Sequence, residues 1–568
     1  MGCVMNNRDE IKKLINLLKL YTKTIIFIII CLFISVGINM LLPLLTKDIM
    51  DKGFIAGNYK ELIKLVIIAI ALYIFDSGID ILKEKKRIDI AAKLQYQLTE
   101  QSYKHLMNLK IHYFSKSNYT EFFSNISVDI NKITSITDEN VFFAITQIFN
   151  ILGGIVGLFI INVKLTLLVL VFIPIKYYIT KYFVKQNGKN MSEYIKANQE
   201  YANWFGNTIG GVREIRLFGM GKYEDKVFAK KQNRIINSQR RINLLSKWNI
   251  VTDSVVIEML IMALYIIGGS YVIKQELSVG SIFAFITYVS YVTGPISLIL
   301  NIGYFLSGII PSTKRYYEFM DLEEENYSES PSKPVFENIN FDKVSFGYEK
   351  NNNVLDDVSF CIPKRSKTVI IGNNGSGKST IIELLLRMYD IQQGEILMGE
   401  KNIKTFNLKD YRELISIVSQ EIYLFNDSIL NNICLYRNVS EQKLMEAIRD
   451  SGLEEFINEK SLNYIVGENG AMLSGGQKQK IAIARALIQD KPILIFDEAT
   501  SNVDTSSKTI VNNLVKNKLR EKTVITITHS LELIKDVDNI ILLNENKVKE
   551  YSSYNELIEE NKNYKFAI

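Results

Sequence analysis

From Ile25 to Ile310 the chain alternates between long apolar runs and polar, basic stretches; beyond Pro334 the apolar runs shorten to strand length. Six runs predict membrane spans: Ile25–Leu45, Leu62–Leu82, Val141–Ile161, Leu165–Ile179, Ile250–Val272 and Ser278–Leu306. About 20 apolar residues cross a bilayer, so the fourth run is short and is expected to continue through Phe183. The first run is too long for a signal-peptide core and no small-residue cleavage site follows it.

The loops alternate in character. Those after the first, third and fifth spans are short (Thr46–Glu61, Asn162–Lys164, Lys274–Leu277). Those after the second and fourth are long and basic, with Lys83, Lys85, Lys86 and Arg87 in one and Lys226, Lys230, Lys231, Arg234, Arg240 and Arg241 in the other. A Lys/Arg excess marks the cytoplasmic side, which places the N-terminus, both long loops and the chain after the sixth span inside. Helical patterning over Ala91–Leu109 and Asn198–Val227 predicts spans that run on as extended helices, turning near Tyr113–Phe123 and Phe218–Glu224. Residues 1–24 read as a soluble lead-in, and Asn6 stands where an acylation motif needs Ser or Thr. The acidic, Ser/Pro-rich stretch 321–334 reads as a linker between a transmembrane domain (1–320) and a soluble domain (335–568). On periodicity alone, six such helices fit a channel or an unrelated transporter equally well.

Composition adds little and excludes something. A net charge of +6, with the basic residues between apolar runs, fits a membrane protein better than a nucleic-acid binder. Cys3, Cys31, Cys361 and Cys434 have neither metal-ligand spacing nor a disulfide pattern, and are expected to be free thiols. Richness in Ile, Lys and Asn suggests an AT-rich bacterial genome.

The chemistry centres on Val369–Thr380. Thr368, Val369, Ile370 and Ile371 predict a buried strand; Ile381, Ile382, Leu385 and Leu386 recur at helical spacing. Between them lies Gly372-Asn373-Asn374-Gly375-Ser376-Gly377-Lys378-Ser379-Thr380, and strand–loop–helix is the context a P-loop requires. Its glycines let backbone N–H groups turn inward around phosphate at a helix start. Lys378 is placed to reach the β- and γ-phosphates and Ser379 to ligand Mg²⁺, so ATP and Mg²⁺ are the expected cofactors. Downstream, four apolar residues, Ile493–Phe496, lead into Asp497 and Glu498. An aspartate at a strand end suits Mg²⁺, and the following glutamate suits polarising an attacking water.

Between these two motifs stands Leu473-Ser474-Gly475-Gly476-Gln477, opening a patterned helix. With it, the sequence resembles the ATP-binding cassette (ABC) family, whose signature is LSGGQ. The resemblance implies that Tyr348 stacks on adenine and that Gln420 links the nucleotide and its metal to the membrane domain. It also implies that Asp504 crosses a dimer interface and that His529 faces the γ-phosphate. Gly467–Gly470 resembles the loop that senses the transmembrane half, with Asn469 where an arginine is usual. The apolar half is similar to the family's six-helix exporters, including Gly294-Pro295 in the sixth span. The glycine usual after Thr120 is missing. The expected fold is therefore a membrane α-helical bundle of six transmembrane helices followed by an α/β P-loop nucleotide-binding domain.

In this family the signature caps a γ-phosphate held by another subunit's P-loop. One chain carries one of each, which implies a dimer with a second copy or a paralogous half-transporter, two shared ATP sites, and export by alternating access across the plasma (inner) membrane. No nucleic-acid partner is expected. A drug, a lipid or a peptide all remain open as substrate, as does an ATP-regulated channel or sensor. No protease domain precedes the first span, so leader-peptide cleavage is expected to fall to another protein. Asp76 and Asp80 share a helix face in the second span, and Asp253 and Glu258 lie in the fifth, with Lys176 the obvious cation nearby. Acids in mid-membrane are costly, which makes these four candidates for a cationic substrate group.

Overall fold

Val163 begins a helix that does not end until Gly210, and Gly221 one that runs to Ile273. In this computed structural model, residues 8–115, 119–325, 333–349, 352–498, 505–528, 531–544 and 546–560 are described. Contacts divide the chain into two units: Met1–Met107 with Asn118–Leu322, and Asn108–Ser117 with Glu323–Ile568.

The first unit is helical. Its elements are α1 (Arg8–Lys19), α2 (Thr22–Asp48) and α3 (Tyr59–Asn108). After the short α4 (His112–Ser115), which groups with the second unit, come α5 (Tyr119–Thr134), α6 (Glu139–Ile161) and α7 (Val163–Gly210). Then follow α8 (Val212–Leu217), α9 (Gly221–Ile273), α10 (Val279–Thr293) and α11 (Ile296–Met320). Among the described residues, α2, α3, α6, α7 and α9 are long and apolar enough to cross a membrane. α3 and α9 leave Ile67, Ile70, Ile74, Met259 and Ile266 exposed, apolar surface suited to lipid or a second chain.

The sixth span carries a local interruption: α10 ends at Thr293 and α11 begins at Ile296, while Gly294 and Pro295 between them keep helical dihedrals, and proline has no N–H to give the preceding turn. One expectation needs correction. The lead-in is not plain chain. Ile11, Leu14, Ile15 and Leu18 recur at helical spacing and make α1 amphipathic; Leu14 is buried and Lys13 lies over the Tyr317 ring of α11.

The membrane helices pack through small residues. A Cβ on Gly157 of α6 would stand 2.6 Å from the Tyr288 ring of α10, so only glycine permits this approach. Asn162, with its side chain accepting from Leu165 N–H, is the whole turn between α6 and α7. Elsewhere in the unit the Arg315 guanidinium of α11 pairs with Asp129 of α5.

The second unit holds two sheets. β1 (Ile339–Phe346), β2 (Leu355–Ile362), β4 (Gln393–Met398) and β5 (Lys401–Asn402) form an antiparallel sheet in the order β2-β1-β4-β5. The other has the order β10-β9-β3-β8-β7-β6, from β3 (Lys367–Gly372), β6 (Ile415–Val418), β7 (Ile493–Asp497), β8 (Thr523–Ile527), β9 (Asn539–Asn544) and β10 (Lys547–Tyr551). All its pairings are parallel except β9–β10. Parallel strands are buried on both faces, which is why they read as unbroken Val/Ile runs. Ile370, Ile495, Ile525 and Ile541 are fully buried, each contributing about 1.5–3 kcal/mol. This sheet places the C-terminal ends of β3, β7 and β6 along one edge, where open α/β sheets bind ligands.

Candidate active site

The loop after β3 is shaped by contacts that exclude larger residues. A Cβ on Gly372 would lie 2.4 Å from the Leu543 carbonyl oxygen and 2.8 Å from Ser376 Oγ. Gly377 sits at φ +102°, and a Cβ there would press on Val354 and Leu355 at 3.0 and 3.1 Å. The loop closes with Ser376 N–H donating to the Asn373 carbonyl (3.1 Å) and opens α12 (Lys378–Leu385). Lys378 folds back across it, its Nζ donating to the Gly372 and Asn373 carbonyls at 3.0 Å each. Burial pushes the Lys378 ammonium below its ordinary range, while Glu498 and Asp497 pull the other way.

Asn374, Gly375, Gly377, Lys378, Ser379 and Thr380 line an open pocket of about 440 Å³ together with Tyr348, Val354, Gln420 and Glu498. The Tyr348 hydroxyl is tied to Thr380 Oγ1 (3.0 Å) and to the Glu383 carboxylate, and its ring meets Phe346 and Tyr389 edge-on. An aromatic face thus stands at the rim of a phosphate-type loop, as a nucleotide base would need.

Asp497 ends β7, paired with Ile527 of β8. Its carboxyl is pushed up to about 6, first by burial, then by Glu498 and Glu383, with Lys378 opposing. Its Oδ1 and Ser376 Oγ are buried and take no hydrogen bond among the described residues. Buried polar atoms are nearly always satisfied, so these two fit a site built for a cation and phosphate. The residues present therefore suit Mg²⁺: Ser379, Gln420 and Asp497 would hold it, and it would neutralise phosphate charge. Glu498 follows at φ +47°, an uncommon setting for a non-glycine residue, fixed by its N–H donating to the Ile527 carbonyl at 3.1 Å. Gln420, two residues past β6, donates from Nε2 to Glu498 Oε2 at 2.6 Å.

The signature lies elsewhere in the unit. Ser474 caps α14 (Gly475–Ile488) in a reciprocal box: its Oγ accepts from Gln477 N–H (3.3 Å) and its N–H donates to Gln477 Oε1 (2.9 Å). A Cβ on Gly475 would meet nothing within 4 Å, and Gly476 follows in the first turn. The described residues lining the P-loop pocket do not include Ser474, Gly475, Gly476 or Gln477. Asp504 and His529 lie outside the described residues.

Sequence reasoning missed Arg485 on α14. Its guanidinium donates to the Asn432 carbonyl (2.8 Å), Asn432 Oδ1 (3.1 Å) and the Tyr423 carbonyl (3.0 Å), tying the signature helix to the segment after Gln420. The only signal was an arginine inside an otherwise apolar helical stripe. Asn469, at φ +46°, accepts from Leu424 N–H through Oδ1 (3.3 Å), so the loop with the unusual asparagine also touches that segment.

The four membrane acids do not gather into one site. Asp80 pairs with Lys83, and Asp253 with the buried Lys176 at 2.9 Å. Glu258 is exposed, and Asp76 Oδ1 is buried without a hydrogen bond among the described residues. No group of three or more His, Cys, Asp or Glu side chains suited to a metal occurs among the described residues. His105 bonds the Phe319 carbonyl at 2.9 Å and is structural.

The profile described as "ABC transporter transmembrane region" matches residues 25–296, and that described as "ABC transporter" matches 355–501. The chain is 29% identical over 537 residues to an ATP-dependent lipid A-core flippase of Nitrosococcus oceani, covering 92% of this chain and 89% of that protein. It is 28% identical to the lipid A-core flippase of a Haemophilus influenzae strain, over 92% of this chain and 90% of that one. It is 27% identical to the uncharacterized ABC transporter ATP-binding protein YknV of Bacillus subtilis, over 97% and 93%. Among solved structures, a bacterial Atm1-family ABC exporter with ATP bound superposes with a TM-score of 0.78 at 22% identity, covering 96% of this chain and 97% of that one, a likeness of fold.

Proposed function

The chain belongs to the ABC transporters, with transmembrane region and ATPase domain fused in one polypeptide, and from that premise we propose that it exports a lipid-class amphiphile as a dimer. ATP hydrolysis drives the transport. The observation that carries the dimer is the separation of two phosphate-binding helix starts. Lys378 and Ser379 line a pocket with Gln420 and Glu498, whereas Ser474 is not among the described residues lining it. A second copy would bring its Ser474 to this P-loop, making two shared sites. The family motifs needed for turnover are present, so a homodimer is the simplest arrangement; a paralogous half-transporter is the other.

Within a site, Glu498 would take a proton from the attacking water, oriented by its bond from Gln420, while Lys378 and the loop amides hold phosphate. Closure of the soluble units on ATP would turn the membrane helices from inward- to outward-facing, and hydrolysis would reset them. A lipid-class substrate is favoured because several related proteins of similar length are named lipid A-core flippases. An inner-membrane location with the N-terminus and ATPase domain in the cytoplasm is supported by the basic long loops, and a bacterial source by the organisms of the related proteins. The test is ATPase activity of purified protein in bilayers doped with lipids, peptides or drugs. Lipid-class amphiphiles should raise turnover above the basal rate; stimulation confined to peptides or drugs would overturn the substrate class.

A further inference from the structure

Two chain segments that continue from membrane helices run side by side in the second unit. Asn108–Lys110, at the end of α3, pairs with Glu323–Glu325, which follows α11. Glu325 N–H donates to the Asn108 carbonyl (2.7 Å), Lys110 N–H to the Glu323 carbonyl (3.3 Å), and Leu109 bridges Glu324 in antiparallel fashion. The pair forms a strap tied to the nucleotide site by two routes.

The first runs through Arg412, at the end of α13 (Leu408–Arg412). Its guanidinium grips the Glu325 carboxylate with two parallel bonds, Nη1–Oε2 at 2.8 Å and Nη2–Oε1 at 2.9 Å. The same side chain donates from Nε to the Leu386 carbonyl and from Nη2 to the Arg387 carbonyl, both at 3.0 Å. Those carbonyls close the C-terminal end of α12, whose N-terminus is the phosphate loop; helix ends leave such carbonyls without internal partners. Arg412 therefore holds the far end of the P-loop helix and the strap in one rigid fork. Glu325 keeps only 12% of its side-chain surface exposed, so the pair is largely dehydrated.

The second route uses Lys110. Its Nζ pairs with Glu323 Oε2 (2.8 Å) and Asp390 Oδ2 (3.3 Å). Asp390 follows Tyr389, whose ring meets Tyr348, at the pocket rim, at 5.3 Å between centroids.

Both ends of the nucleotide pocket's framework thus arrive at adjacent carboxylates on one strap. We propose that Arg412 is a positioning residue that passes movement of the P-loop helix on ATP binding to Glu325, and through the strap to α3 and α11. This rests on the transporter reading above. A contact transmits only if its free energy differs between the two states, so the test must read coupling rather than stability.

The experiment uses full-length protein in nanodiscs, native cysteines replaced by serine, in a Glu498→Gln background that holds ATP. A nitroxide at Tyr59→Cys reports the distance between two copies with and without ATP, and a fluorescent ATP analogue reports binding. Glu325→Gln is expected to bind the analogue within two-fold of its parent yet lose more than half of the ATP-induced distance change. The conservative Glu325→Asp, which keeps a carboxylate for the Arg412 guanidinium while leaving its bonds to the Leu386 and Arg387 carbonyls in place, is expected to retain most of it. A full distance change in Glu325→Gln overturns the proposal. So does loss of analogue binding, since the pair would then be merely structural. No ATP-induced change in the parent protein overturns the alternating-access reading together with this one.

Discussion

Gln420 Nε2 stands 2.6 Å from Glu498 Oε2, joining residues from two strand ends across the mouth of the P-loop pocket. The bond fixes a carboxylate whose backbone is already held at φ +47°. Glu498→Gln should bind ATP as well as the native chain but turn it over about 10²–10⁴-fold more slowly, the usual contribution of a general base. Unchanged steady-state hydrolysis would remove Glu498 from that role. Lys378→Ala should instead weaken nucleotide binding itself.

Gly377→Ala tests the loop's backbone. At φ +102° a side chain is strained, and the new Cβ would meet Val354 and Leu355 at 3.0 and 3.1 Å. A left-handed setting costs about 1–2 kcal/mol for an L-residue. The nucleotide-free melting temperature should fall and ATP protection against unfolding should shrink. Retention of both would mean that the loop relaxes freely.

Asp497 predicts a pH effect of definite sign. Its carboxyl titrates near 6 in the folded chain against 3.8 ordinarily, with burial the main cause. Between those values the folded state binds more protons, so stability falls as pH rises through the window, and the full cost is present above about 6. Asp497→Asn should therefore raise the nucleotide-free melting temperature at pH 7.5, with a gain that shrinks toward pH 5. The same variant should lose the extra stabilisation that Mg²⁺ adds to ATP. Thermal unfolding at both pH values checks this; a gain independent of pH would contradict it.

Shared sites predict complementation. Lys378→Ala chains mixed with Ser474→Ala chains place both defects in one site and leave the other intact. Such heterodimers should retain ATP turnover that neither homodimer shows. A fully active monomer, by mass measurement in detergent, would contradict this.

The site was legible where chemistry constrains residue type. A phosphate loop needs glycines at positions such as 372 and 377 because backbone must approach backbone, and β7 needs an apolar run because both its faces are covered. Spans were legible from length. The interruption at Gly294-Pro295 is local, and prolines are likewise accommodated inside membrane helices at Pro43 and Pro174. Arg412, Glu325 and Arg485 were not legible. Their roles come from partners distant in sequence, and no local pattern announces an arginine that caps another helix's carbonyls.

Vectorial movement of lipid is the decisive measurement. Purified protein in liposomes, ATPase domains outward, would receive Mg-ATP and a headgroup-labelled fluorescent lipid, with label in each leaflet read by quenching from outside. ATP-dependent loss of label from the leaflet facing the ATPase domains is the expected result, absent with Glu498→Gln. Sustained hydrolysis by the native chain with no net movement of the lipid would contradict it.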